Sequence, residues 1–82
     1  MTFANNQLNI IYMKTEELLK QQIVESRMEL ALLMNQASKK MNHNAFSELE
    51  SRVRQIHLYD LNKDFEMSLS ETQKLVSELN QQ

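Results

Sequence analysis

Residues 27–34, RMELALLM, form the densest apolar run of an 82-residue chain. A surface helix normally buries one stripe and wets the rest, yet Met28, Leu30, Ala31, Leu32, Leu33 and Met34 point almost all the way round. A helix of this kind needs cover on a second side. Placing Leu30 at the origin and stepping roughly 100° per residue separates two sets. Leu19, Ile23, Ser26, Leu30, Leu33, Met34, Ala37 and Met41 fall within roughly 40° of one line and define the first buried face. Val24, Met28, Ala31 and Leu32 form a second patch nearly opposite, bordered by Lys20, Gln21, Asn35 and Lys39. An apolar centre with a polar rim is how an interaction surface reads.

Working outward, Thr15-Glu16-Glu17 has the form of an N-cap followed by carboxylates at the positive end of the helix dipole. Leu8 and Tyr12 nevertheless continue the buried line backward, so the first helix is expected over about residues 5–41. The alternative for residues 1–14 is an extended arm built on Ile10 and Ile11. Lys39 and Lys40 suit a helix C-terminus, and the polar turn NHN at 42–44 offers both a C-cap and a new N-cap.

The second helix is expected over about residues 45–66, or onward to 79. Phe46, Leu49, Val53 and Ile56 form its buried line, and Glu48–Arg52 and Glu50–Arg54 are favourable i,i+4 pairs on its wet side. After Ile56 the apolar line shifts by roughly 140°, to Leu58, Leu61, Phe65, Leu69, Val76 and Leu79. One straight helix cannot bury both lines against one neighbour, so a break is expected near residues 57–60 or 67–70. The run Ser70-Glu71-Thr72-Gln73 resembles a capping box that would open a short third helix. The expected architecture is a single all-α domain over residues 1–82, an antiparallel helical hairpin with an optional short C-terminal helix.

Composition narrows the function. Glycine and proline are absent, which excludes glycine-rich phosphate loops and nucleophile elbows. There is no cysteine and there are two histidines, so neither a disulfide framework nor a metal cluster is expected. A net charge of −2 with nine dispersed Lys and Arg residues argues against nucleic acid. The longest uninterrupted apolar run, residues 30–34, is far short of a bilayer span, and residues 1–9 lack a basic signal region. A cytoplasmic protein is expected, without membrane insertion, cofactor or metal. His57, Asp60 and Asp64 read as a solvated charged face. Ser47, Ser51 and the histidines lack an orienting carboxylate or an oxyanion donor, so no catalytic residue is assigned.

In a hairpin turning near residue 43, Met28 comes level with Leu58. Val24, Met28, Ala31, Leu32, Leu58, Leu61 and Phe65 are therefore the expected partner-binding residues. A chain this small buries only about 60% of its unfolded surface, so a partner or self-association is expected to complete it.

The order of a long helix carrying Arg27-x-Glu29-Leu30, a short polar turn, and a helix opening with Phe46 resembles the small E-type co-chaperones of type III secretion needle subunits. The likeness covers roughly residues 15–66. It implies a cytoplasmic, non-catalytic protein that joins a tetratricopeptide-type partner and keeps a needle subunit soluble and unpolymerised. Phe46-Ser47-Glu48-Leu49-Glu50 more distantly resembles the Ser-Gln-Glu-Leu-Asp signature of the aspartyl-phosphate phosphatases of sporulation phosphorelays. That likeness implies the alternative, a helical phosphorelay regulator. A purely structural homo-oligomeric hairpin is the third reading.

Overall fold

The computed structural model describes the backbone of residues 2–81 and the side chains of residues 15–81. It is all-α, with α1 (Thr2–Lys40), α2 (His43–Leu61) and α3 (Phe65–Asn80), and no strand among the described residues. Residues 2–14 continue α1 and form no arm. The side chains of Leu8 and Tyr12, which were expected on its buried line, lie outside the described residues. Thr15 sits inside α1, so Thr15-Glu16-Glu17 is not a helix start.

The first reversal is tight. Met41 N–H donates to the Ala37 carbonyl (2.8 Å), and Asn42 then caps α2, its Oδ1 accepting from Ala45 N–H at 2.8 Å. Asparagine is a preferred N-cap because its side-chain oxygen satisfies one of the unpaired first-turn amides.

The second reversal lies at residues 62–64, between the two expected break points. Asp64 N–H donates to the Tyr59 carbonyl (2.8 Å) and Lys63 N–H to the Asp60 carbonyl (3.0 Å). Lys63 has φ 59°. This is the Schellman termination, with a left-handed residue just past the C-cap. Lysine occupies a position that glycine usually fills, so the sequence carries no obvious stop signal there. Ser70-Glu71-Thr72-Gln73 proves to be helix interior, not a start, and Thr72 is fully buried.

Leu30, Ala37, Leu49, Ile56 and Leu75 form the core, with Met34, Met41, Phe46, Val53, Val76 and Leu79 packed around it. Every residue of the expected first line of α1 from Leu19 to Met41 is buried or half-buried, as are Phe46, Leu49, Val53 and Ile56 of α2. The expected two-helix seam, however, is closed by a third element. α3 packs along both α1 and α2, whose own backbones meet more sparsely, and Leu75 is the most buried apolar side chain among the described residues. The turn at 62–64 explains the displaced line. Leu58 and Leu61 stay on α2 facing out, while Phe65, Leu69, Val76 and Leu79 are carried onto α3 and turned inward.

The molecule is elongated. Its extents are 60 × 22 × 14 Å and its radius of gyration is 16.5 Å, against about 12 Å for a compact chain of this length. At about 1.5 Å per residue α1 alone runs about 58 Å, about twice the length of α2. Its C-terminal half therefore lies in the bundle, and its N-terminal half projects.

Candidate functional site

Among the described residues, the half-buried Arg27, on the edge of the buried line of α1, gathers polar groups from the other two helices. Its Nη2 donates to Asp60 Oδ1 on α2 at 3.0 Å and to Ser68 Oγ on α3 at 2.7 Å, and forms an ion pair with Asp60, 2.8 Å from Oδ2. Its Nε donates to Thr72 Oγ1 at 3.1 Å. Ser68 in turn donates to Asp60 Oδ1, and Thr72 Oγ1 donates to the Ser68 carbonyl at 2.7 Å. Ser68 and Thr72 are each 0% exposed. No buried side-chain polar atom among the described residues lacks a partner. Such a network is favourable only when every member is satisfied, and this one ties one residue from each of α1 and α2 to two from α3.

Burial by itself would push the Asp60 carboxyl up. Hydrogen bonds from Ser68 and Arg27, and the charges of Arg27 and His57, outweigh it and hold the carboxyl below its ordinary value. His57 is exposed, with its Nδ1 3.8 Å from Asp60 Oδ2. The sequence reading of His57 and Asp60 as a solvated face is thus corrected for Asp60. The arrangement holds three helices in one register.

Arg27, Ser68 and Thr72 went unrecognised in the sequence. The available signal was the pair of hydroxyls at i,i+4 on the apolar line of α3, between Phe65 and Leu75, since buried hydroxyls require partners. Charge pairing also departs from expectation on α2. Arg52, matched with Glu48 by spacing, reaches Glu78 of α3 at 2.7 Å.

The expected partner-binding residues are distributed over several surfaces. Val24, Met28 and Leu32 are exposed, Met28 at 65% and Leu32 at 67%. On the helical wheel they lie on the side of α1 opposite its core line. Ala31 is exposed but lies at a shallow cleft of about 250 Å³ between α1 and α2, together with Arg27, Leu30, Met34, Val53 and His57. Leu58 is on the outer side of α2, in a hollow with Ser51, Arg54, Gln55 and His57. Leu61, 78% exposed, stands at the end of α2. Phe65 is half-buried at the start of α3, with the Lys20 ammonium 5.5 Å from its ring centre. The Val24, Met28 and Leu32 group is the largest continuous apolar element of the set.

No group of three or more metal-ligating residues occurs among the described residues, and no helix there is long and apolar enough to cross a membrane. The chain matches no family model, no curated protein and no solved structure.

Proposed function

We propose that the protein is a non-catalytic protein-binding module whose contact face is the outer stripe of α1, Val24, Met28 and Leu32. One observation carries this reading. The chain has used both of its other helices to cover the opposite side of α1, and this stripe remains in water. Exposed apolar side chains in a row, rimmed by Lys20, Gln21 and Asn35, fit a partner surface, and methionine adapts to the shape of what it meets.

The narrower reading is a cytoplasmic co-chaperone that, with a tetratricopeptide-type partner, shields a secretion needle subunit. It rests on the sequence likeness over roughly residues 15–66. Arg27 and Leu30 of that likeness are engaged inside the bundle, so client contact falls to the exposed residues beside them.

The test is co-expression of the full chain with candidate repeat-protein and needle-subunit partners, comparing the wild type with Met28→Glu. Retention of both partners by the wild type and their loss from a normally helical Met28→Glu protein is expected. Partner binding that survives the substitution would remove this face from the account.

A further inference from the structure

We propose that the outer stripe of α1 is covered by the same stripe of a second copy, running antiparallel about a two-fold axis at Met28. The inference rests on the reading of this stripe as a protein contact face, and it names the occupant. With Met28 as the origin and roughly 100° per residue, Glu17, Gln21, Val24, Leu32, Asn35 and Lys39 of α1 all fall within roughly 40° of one line. All of them, and Met28 itself, are exposed.

The order along that line is symmetric about Met28. Val24 and Leu32 flank it at four residues, Gln21 and Asn35 at seven, and Glu17 and Lys39 at eleven. An antiparallel copy therefore sets Met28 against Met28, Val24 against Leu32, amide against amide, and Glu17 against Lys39 at both ends. An isologous interface requires this self-complementarity, because each residue meets its counterpart across the axis. The flexible thioether of Met28 suits the position on the axis, where a side chain must pack against its own copy.

Charge selects both the partner and the direction. At about 1.5 Å per residue Glu17 and Lys39 stand about 33 Å apart along one rigid helix, too far to meet within a chain. Among the described residues neither is ion-paired in its own chain. Antiparallel pairing gives each of them an opposite charge, twice over by symmetry. A parallel pair would set Glu17 beside Glu17 and Lys39 beside Lys39, and opposed like charges are unfavourable. The bundle leaves the contact open. Leu30 and Ala37 lie roughly 160–180° from Met28 on the helix and pack with Leu49, Ile56 and Leu75, so α2 and α3 of each copy stay on the far side of its own α1.

The absence of native cysteine makes the register directly testable. Glu17→Cys and Lys39→Cys chains are prepared separately, then oxidised mildly alone and after mixing. A disulfide-linked dimer in the mixture and none in either variant alone is the expected result. No linked dimer in the mixture, or linked dimers within each variant alone as a parallel pair would give, overturns the proposal. Sedimentation equilibrium provides the second readout. A reversible dimer is expected for the unmodified chain, weakened by Glu17→Lys and restored when Lys39→Glu is added to it. Both positions are exposed, so these variants do not disturb the core. An unmodified chain that stays monomeric at high micromolar concentration, or a double variant no tighter than the single one, refutes the pairing. The contact-face reading is decided separately, by whether Met28→Glu loses its partners on co-expression.

Discussion

Arg27 carries more of the architecture than its place beside an apolar run suggests. Replacing it by methionine keeps much of the aliphatic stem but leaves Asp60, Ser68 and Thr72 short of a donor inside the bundle. An unsatisfied buried polar group costs about 1–3 kcal/mol, and Arg27→Met is expected to lower stability by that order in urea denaturation. Asp60 gives the network a pH signature. Its folded-state pKa is depressed, so its contribution is fully present above the unfolded carboxylate value and is lost as pH falls through the folded one. Stability of the wild type should therefore decline with acid below about pH 4. Asp60→Asn should be less stable at neutral pH and should lose less on acidification. Parallel acid limbs for the two proteins would show that the carboxylate is not the linked group. Leu30, two residues from Met28, is core. Leu30→Ala should cost about 2–5 kcal/mol, as large-to-small core changes do, and a cost near zero would show that the buried line is misplaced.

At the scale of elements, the turn between α2 and α3 determines what the sequence conceals and reveals. The buried lines of α1 and α2 were legible, because apolar residues at steps of three and four register as one face whatever covers them. The break was not, since its left-handed position is Lys63 and its N-cap Asp64 makes no side-chain capping bond. A non-glycine residue in this conformation costs on the order of 1 kcal/mol. Lys63→Gly is thus expected to raise the unfolding midpoint modestly and Lys63→Val to lower it, both read by thermal melting. Equal midpoints for the two variants would contradict the left-handed assignment. The apparent capping box at Ser70 misled for a related reason. Polar residues at helix-start spacing look alike whether they cap an end or, as Thr72 does, bond inside a bundle.

On the scale of the whole molecule, α1 is shared by two surfaces. The side carrying Leu30 packs with α2 and α3, and the side carrying Met28 faces water. The two apolar sets were separable in the sequence by angle alone, whereas the cover over the first was not. Only the reversal at 62–64 sends α3 onto it. The polar pin was illegible because Arg27, Asp60, Ser68 and Thr72 meet across three helices, and no local spacing records that meeting. The expected partner residues remain a proposal, now concentrated on Val24, Met28 and Leu32. The central claim is that these two sides of α1 have different roles. Its most direct test is the thermal unfolding transition of Met28→Glu beside that of Leu30→Glu, followed by circular dichroism. Glutamate retains helix propensity in both, so the difference reports burial. A cooperative, near-native transition for Met28→Glu and a lost transition for Leu30→Glu are predicted. Loss of the transition in Met28→Glu would contradict the account, because the outer stripe would then be core.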